Sequence, residues 1–194
     1  MTKIGDSFRH MLASVYRDWG QAFVTRGKID DAIEYANRAL RLDPGMSDAY
    51  LYRALAFEER GNHDAAIRDL NVLIKLNPRM ARAYLHRGIS YYHEGQYNDA
   101  LLDLNMAAYL QSDHPSAYIY RGLVSMALEN YAAAVSDYTT ALKYTTQAAQ
   151  IFRMRGEAYE ALGETAAARN DFARCAALDL SMQHWINERI ASLV

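Results

Sequence analysis

The sequence predicts an all-α solenoid built from five antiparallel helix pairs. The first observation is a period of 34 residues, which fits five times without insertion or deletion between Ala13 and Met182. The second is that aromatic and small residues recur at helical spacing inside each period. The third is the scarcity of glycine and proline, 10 and 3 of 194 residues, because an all-β chain would need many tight turns. A period of this length indicates stacked supersecondary units rather than ordinary globular domains.

The first helix of each unit is marked by an aromatic residue and a small residue. The five blocks are 13–46, 47–80, 81–114, 115–148 and 149–182. Position 4 of the blocks carries Tyr16, Tyr50, Tyr84, Tyr118 and Phe152. Position 8 carries Gly20, Ala54, Gly88, Gly122 and Gly156. Because positions 4, 8 and 11 share one face of a helix, each block is expected to open with a helix that packs along this stripe.

A turn and a second helix complete each block. Position 15 is glycine in four blocks, which ends the first helix, whereas the fourth block has Glu129 there. Position 20 is alanine in all five blocks and falls in a second helix predicted over about positions 18 to 31. Large residues at positions 4 and 11 facing small ones at 8 and 20 would let the two helices approach closely.

These columns resemble the tetratricopeptide repeat (TPR). That family is expected to have an aromatic residue at position 4, small residues at 8 and 27, an aromatic at 11, alanine at 20 and proline at 32. Pro44 and Pro78 occupy position 32, while Trp19 at position 7 and Ser125 at position 11 depart from the pattern. The resemblance implies a right-handed α-solenoid of antiparallel helix pairs, a TPR-like superhelix with a C-terminal capping helix.

Twelve residues precede the repeats and twelve follow them. Residues 1–12 are expected to extend the first helix, because Ile4, Phe8 and Leu12 are four residues apart. Residues 183–194 are predicted to form the capping helix, since a terminal repeat must cover its open face. Its apolar stripe consists of Ile186, Ile190 and Leu193. The alternative is that this helix docks on a partner or dimerises the chain, because Trp185 and Val194 are apolar outside that stripe.

A charged pair recurs in blocks two to five, with arginine at position 7 and aspartate at position 23. Antiparallel helices joined near position 15 bring positions that sum to about 30 to the same level. The expected pairs are Arg53 with Asp69, Arg87 with Asp103, Arg121 with Asp137, and Arg155 with Asp171. In the first block both positions change together, to Trp19 and Tyr35, as expected if they touch. We interpret the four pairs as structural ion pairs that fix the register of the helices.

Composition and charge exclude several classes of protein. The formal net charge of −2 lacks the basic excess of a nucleic-acid surface, so no nucleic-acid partner is expected. No run of 18 apolar residues is present, so no membrane span is expected. Charges at Lys3, Asp6 and Arg9 interrupt any signal-peptide core, and Cys175 is the single cysteine. The sequence therefore predicts a cytoplasmic protein if the chain is complete, whereas a fragment would leave the location open.

No catalytic motif is present in the sequence. His93 and Glu94 are followed by Gly95, and the second histidine of a zinc-protease motif does not follow. The glycines occupy packing and turn positions rather than a phosphate-binding loop, and Cys175 occupies the small position 27. We therefore expect neither an enzyme, nor a cofactor, nor a metal site.

The resemblance implies a concave groove lined by positions 2, 5, 6, 9, 12 and 13 of the first helices. In the middle blocks these columns are apolar, and charges gather toward the ends. The residues expected in the groove are Leu51, Tyr52, Leu55, Leu85, His86, Ile89, Tyr92, Tyr120, Leu123, Met126 and Met154. Some of them are expected to pack against the next repeat instead. A concave apolar patch favours a non-catalytic scaffold or adaptor that binds a peptide or helix with apolar side chains.

Two alternatives remain for the same surface. Some family members grip the C-terminal carboxylate of a partner, as co-chaperones do, and the matching residues here are Arg17, Gln21, Tyr52, Arg82 and His86. Arg17 and Arg82 could hold a carboxylate bidentately. Alternatively, the groove is filled by the chain's own terminal helix or by a second copy, which would make the protein an assembly element. An RNA-binding repeat fits least, since the groove columns are apolar.

Overall fold

The computed structural model describes residues 3–146 and 148–192, and these residues form eleven α-helices and one short 3₁₀ helix, without a strand. The first helices of the blocks are α1 (Lys3–Thr25), α3 (Ser47–Glu59), α5 (Ala81–His93), α7 (Pro115–Ala127) and α9 (Ala148–Ala161). The second helices are α2 (Ile29–Leu42), α4 (His63–Leu76), α6 (Tyr97–Leu110), α8 (Tyr131–Ala141) and α10 (Thr165–Leu178). The 3₁₀ helix Leu180–Met182 leads into α11 (Gln183–Ser192). The predicted fold class, an all-α chain of helix pairs, is confirmed.

The chain divides into two compact units, Met1–Asp99 and Ala100–Val194. In the first unit α1 pairs with α2 and α3 with α4, while α2 also packs on α3 and α4 on α5. In the second unit α7 pairs with α8 and α9 with α10, and α8 packs on α9. The expected apolar residues Leu193 and Val194 lie outside the described residues, as do the side chains of Ile4 and Phe8.

The turns between paired helices use a left-handed residue at position 15. Gly61 has φ +76°, and this conformation lets its own N–H and that of Asn62 donate to carbonyls of α3, at 2.8 Å each. The Asn62 side chain then accepts a hydrogen bond from the N–H of Ala65, at 3.1 Å, which caps the start of α4. Glu129 adopts the same conformation, with φ +58°, although it carries a side chain. The turn geometry therefore persists where the glycine is absent.

Glycine at position 8 makes room for an aromatic ring at position 24 of the same block. A Cβ atom on Gly122 would lie 2.5 Å from Cε1 of Tyr138, and one on Gly156 would lie 2.7 Å from Cε1 of Phe172. Both rings are fully buried. In the first block position 24 is Ala36, and a Cβ on Gly20 would meet its nitrogen at 3.5 Å, an ordinary contact. Glycine is therefore required at Gly122 and Gly156, which face an aromatic ring, whereas Gly20 has room for a Cβ atom.

Helix α11 packs on the last helix pair. Ile186 is fully buried in a cluster with Phe172 and Cys175, which are also fully buried. The ring of Trp185 contacts Phe172 edge-to-face, with the ring centroids 6.1 Å apart. Nε of Arg189 donates to a carboxylate oxygen of Glu160 at 2.9 Å. The helix thus covers one face of α10 with apolar contacts and adds an ion pair at its edge.

Candidate partner-binding surface

Three of the four expected arginine–aspartate pairs form within a unit. In each, arginine on the first helix bonds a buried carboxylate on the second helix: Arg53 with Asp69, Arg121 with Asp137, and Arg155 with Asp171. The Arg53 contacts are 2.7 and 2.6 Å, a bidentate geometry. The hydrogen bonds to these carboxylates raise the pKa of Arg121 and of Arg155. The fourth pair, Arg87 with Asp103, joins residues of the two units and stays a prediction.

Each of these arginines also ties its repeat to the preceding one. Position 25 of the preceding block accepts a hydrogen bond from Nη1 of the arginine. The acceptors are Asn37 for Arg53, Asn71 for Arg87, Asn105 for Arg121 and Thr139 for Arg155. The guanidinium carbon of Arg53 also lies 5.6 Å from the ring centre of Tyr50 at position 4. Position 7 is therefore a structural junction in blocks two to five, where the arginine joins neighbouring helices.

The first block replaces this junction with aromatic contacts. The ring of Trp19 meets that of Tyr35 edge-to-face, with centroids 5.1 Å apart, so the two substituted positions do touch. The ring of Phe23 stacks on that of Tyr35, also with centroids 5.1 Å apart. The guanidinium of Arg38 lies 5.0 Å from the Tyr35 ring centre. At positions 7 and 23 the first helix pair thus has contacting aromatic rings, where the later blocks have an arginine and an aspartate.

In the first unit the surface formed by α1, α3 and α5 carries seven of the predicted groove residues. Helix α3 adjoins both α1 and α5, so their side chains lie on neighbouring helices. Five of the seven are partly exposed: Tyr52, Leu55, His86, Ile89 and Tyr92. Leu51 and Leu85 are only 5% and 6% exposed. The prediction that these two side chains are accessible in the groove is wrong, because both are buried, and Leu51 clusters with Leu70 and Leu73 of α4.

Two residues of the carboxylate-clamp alternative, Arg17 and Arg82, lie near Tyr52. Burial of the Tyr52 phenol raises its pKa, and the negative charge of Asp48 raises it further. The positive charges of Arg82 and Arg17 lower the same pKa. Nε of Arg17 donates to Asp18 at 2.9 Å, and its Nη1 lies 3.7 Å from an oxygen of Asp48. The charge of Arg17 is therefore partly offset by carboxylates of the chain, which reduces its attraction for a second carboxylate.

A polar contact between α3 and α5 was not predicted from the sequence. Glu58 accepts a hydrogen bond from the hydroxyl of Ser90 at 2.8 Å, and its other oxygen lies 2.9 Å from Nδ1 of His86. Ser90 is fully buried. His86 is therefore held by a carboxylate of the preceding repeat. The only sequence signal was a glutamate at position 12 one block before a histidine at position 6 and a serine at position 10.

In the second unit the remaining predicted groove residues are all partly exposed. They are Tyr120, Leu123 and Met126 on α7 and Met154 on α9. Met126 and Met154 also pack against a buried cluster that includes Tyr138 and Ile151. These methionines therefore contribute to the core of the unit as well as to its surface. Arg153 on α9 is paired with Glu157, so the charges beside this apolar patch are compensated.

Other features of the described residues bear on binding and catalysis. Within residues 3–146 and 148–192 no three side chains of His, Cys, Asp or Glu come close enough to hold a metal ion. His63 and His93 stack with ring centroids 4.6 Å apart, and burial followed by the charge of His63 lowers the pKa of His93. Burial raises the pKa of the Cys175 thiol. No helix in the described part of the chain is both long enough and apolar enough to cross a membrane.

Comparisons with known proteins agree with this architecture. The family model described as tetratricopeptide repeat matches residues 17–74, 65–118 and 119–182. No curated protein sequence matches the chain significantly. Similar solved structures include PilF of Pseudomonas aeruginosa, with a TM-score of 0.79, 20% identity, and coverage of 95% of this chain and 90% of that one.

Two further structures share the fold. MamA of Desulfovibrio magneticus RS-1 has a TM-score of 0.79 at 20% identity, over 87% of this chain and 96% of that chain. A chain of the APC/C hetero-tetramer Cut9–Hcn1 has a TM-score of 0.77 at 21% identity, over 93% of this chain and 36% of that chain. At these identities the likeness concerns the fold alone.

Proposed function

Because the chain belongs to the tetratricopeptide repeat family, we propose that it is a non-catalytic scaffold that binds a peptide or helix through apolar side chains on the first helices of its repeats. The observation that carries this proposal is the contrast between neighbouring columns on those helices. Position 5 is buried at Leu51 and Leu85, whereas Tyr52 and Ile89, at positions 6 and 9, remain partly exposed. Exposed aromatic and aliphatic side chains on a rigid helical surface are suited to an apolar partner.

The chemistry of the surface supports an apolar ligand more than a charged one. Arg17 is bound by Asp18, and His86 lies against Glu58, so two of the candidate carboxylate contacts already have acidic neighbours. Tyr52 and Tyr92 have a polar tip and an apolar ring, which makes them candidate anchors. Leu55 and Ile89 supply aliphatic surface between the rings. The Cut9 structure is a complex with a second protein, Hcn1, which is consistent with a binding role for this fold.

The experiment is a selection of binding peptides from a displayed random library, followed by affinity measurement with the selected peptides. The Tyr52→Glu/Ile89→Glu variant should bind them at least about tenfold more weakly, because it removes apolar contact and introduces charge. The matched control is Leu102→Glu, which changes an apolar residue on α6 that is 69% exposed. Circular dichroism checks that all three proteins keep their helices. Equal affinity of the groove variant and the wild type would refute the proposal.

Two added measurements separate the alternatives. The selected peptides are compared with a free and an amidated C-terminus, and a loss of binding on amidation would point to the carboxylate clamp. Sedimentation of the protein alone over a range of concentrations tests self-assembly. A mass that rises with concentration, and a groove variant that remains monomeric, would instead support a surface filled by a second copy.

A further inference from the structure

Helix α1 carries an exposed apolar stripe on the side away from the predicted groove. Met11, Val15 and Trp19 are four residues apart, so they share one side of the helix, and they are 57%, 39% and 49% exposed. Ala22 continues the same side toward the end of α1, and Arg26 follows in the turn directly after the helix. Contiguous apolar side chains of this size are unusual on a free helix surface. The stripe therefore requires an explanation that the groove does not supply.

In the later blocks the matching positions are sites of helix packing. Position 3, which is Val15 in the first block, is at most 3% exposed at Ala49, Ala83, Ala117 and Ile151. Position 10, which is Ala22 in the first block, is fully buried at Ala56, Ser90, Val124 and Ala158. Ala49 clusters with residues of α2, and Ile151 clusters with residues of α8. This face of a first helix thus receives the second helix of the preceding block.

In the first block, no helix among the described residues covers this face of α1. Its centre is also altered, because position 7 is Trp19 rather than the arginine that ties each later repeat to the one before it. A cavity of about 430 Å³ opens beside Trp19 and is lined by Ala22, Phe23, Arg26 and Tyr35 as well. A helix that packs on this face would therefore contact aromatic rings and an apolar cavity. In the later blocks it would instead contact an arginine that donates hydrogen bonds.

The edge of this surface is basic. Arg26 lines the cavity and is exposed, and it forms no ion pair with any described residue. Arg41 lines a second cavity, of about 280 Å³, between α1 and α2, and it likewise lacks an ion pair in the described part of the chain. Asp18, next to the stripe, is neutralised by its hydrogen bond from Arg17. Lys28 lies 5.8 Å from the ring centre of Phe23. The cavity beside Trp19 thus has an exposed positive charge at Arg26.

We propose that this face of α1, formed by Met11, Val15, Trp19 and the cavity lined by Arg26, docks an amphipathic helix of a partner protein whose apolar stripe is flanked by acidic residues. The helical character of the occupant follows from the packing of the same face in later blocks. Its acidic flank follows from charge complementarity with the unpaired arginines. A second copy of the chain fits less well, because the same face of that copy carries Arg26 as well and offers it no acidic flank.

The experiment uses two synthetic helical peptides as probes and the full chain as the receptor. Each peptide is about 18 residues long, close to 27 Å of helix, and carries the same leucine and alanine stripe. One has glutamates beside the stripe and the other has lysines. Binding of the labelled peptides is followed by fluorescence anisotropy. The glutamate peptide should bind at least about tenfold more tightly than the lysine peptide, and Arg26→Glu should reverse or abolish that preference.

Variants on the two surfaces distinguish this proposal from groove binding. Val15→Glu, on the exposed stripe, should abolish binding of the glutamate peptide while leaving the thermal unfolding midpoint close to that of the wild type. The Tyr52→Glu/Ile89→Glu groove variant should retain it. The proposal is overturned if the groove variant loses the peptide while Val15→Glu keeps it, or if both peptides bind equally. It is also overturned if the chain dimerises and Val15→Glu makes it monomeric, because the occupant would then be a second copy.

Discussion

The first and the last helix pairs differ in how their outer sides are covered. On the last pair, α11 lies against α10 and buries Ile186 completely, together with Cys175 beneath it. On the first pair, the outer side of α1 leaves Met11, Val15 and Trp19 at least 39% exposed. Repeat units of one sequence pattern can therefore have a covered or an open outer face. The difference depends on an added helix rather than on the repeat itself.

The interior of the two pairs differs as well. In the last pair, Arg155 holds Asp171 with two hydrogen bonds of 2.6 and 2.8 Å, and Asp171 is 2% exposed. In the first pair, Trp19 and Tyr35 fill the same positions with an aromatic contact. One pair thus depends on a buried charge and its partner, whereas the other depends on ring packing. This contrast predicts that equivalent substitutions will have unequal effects.

The largest effect is expected from Asp171→Ala, which leaves the Arg155 guanidinium without its carboxylate. Loss of one partner of a buried ion pair costs about 3–5 kcal/mol, because the remaining charge stays desolvated. Urea unfolding followed by circular dichroism measures the change. The double variant Arg155→Leu/Asp171→Leu, which imitates the uncharged first pair, should recover much of the loss. A double variant that is less stable than Asp171→Ala would contradict this account.

The second effect is expected from Ile186→Ala in α11. Removing a fully buried isoleucine side chain should destabilise the last pair by about 2–4 kcal/mol, since it leaves a cavity against Phe172. The free-energy change is obtained from urea unfolding. Labelling of Cys175 by a thiol reagent serves as a local measurement, and it should become faster as α11 loosens. Unchanged stability and unchanged labelling together would mean that α11 does not cover this pair in solution.

The third effect compares the glycine at position 8 in the last helix pair with the one in the first helix pair. Gly156→Ala places a Cβ atom 2.7 Å from the Phe172 ring, and the resulting overpacking should cost about 1–3 kcal/mol. Gly20→Ala has room, with its nearest neighbour at 3.5 Å, so the better helix propensity of alanine should stabilise by about 0.5–1 kcal/mol. Thermal melting of both variants measures the opposite signs. Destabilisation of similar size at both sites would remove the distinction between the pairs.

The smallest effect is expected from Val15→Ala on the open face of α1. Its side chain is 39% exposed, so its removal should change the free energy of unfolding by less than about 0.5 kcal/mol. The matched control is Ile151→Ala at the same position of the last block, where the side chain is 3% exposed and the loss should be about 2–4 kcal/mol. Chemical denaturation of the two variants gives both values. A large cost for Val15→Ala would show that the stripe is already covered.

Much of the fold follows from columns that repeat with the period. The alanine column at position 20, the turn at position 15 and the pairing of positions 7 and 23 all describe contacts inside one helix pair. The bidentate contact of Arg53 with Asp69 has the register expected from the position of the turn. These contacts were predictable because both partners lie within one block, at a separation that the antiparallel geometry determines.

The surface was less predictable, because exposure depends on several helices at once. Leu51 and Ile89 are both aliphatic residues of first helices, but only Leu51 is buried, against α4. The contact of Glu58 with His86 and Ser90 joins successive blocks, and it has no counterpart elsewhere in the repeat pattern. The hydrogen bond from Arg155 to Thr139 likewise crosses between blocks. The residue type at one position of a block does not indicate which residue of the neighbouring block it will contact.

The sequence by itself determined the helix pairs, their turns and the register within each pair, since these depend on local periodicity and short-range geometry. It also determined that Trp19 and Tyr35 change together, because they touch within one block. The tertiary structure alone decided that Leu51 and Leu85 are core residues, and that the stripe at Val15 is open while Ile151, at the same position of the last block, is covered. The physical reason is that burial is a property of the surrounding helices. An apolar side chain has the same letter in the sequence whether a neighbouring helix covers it or not.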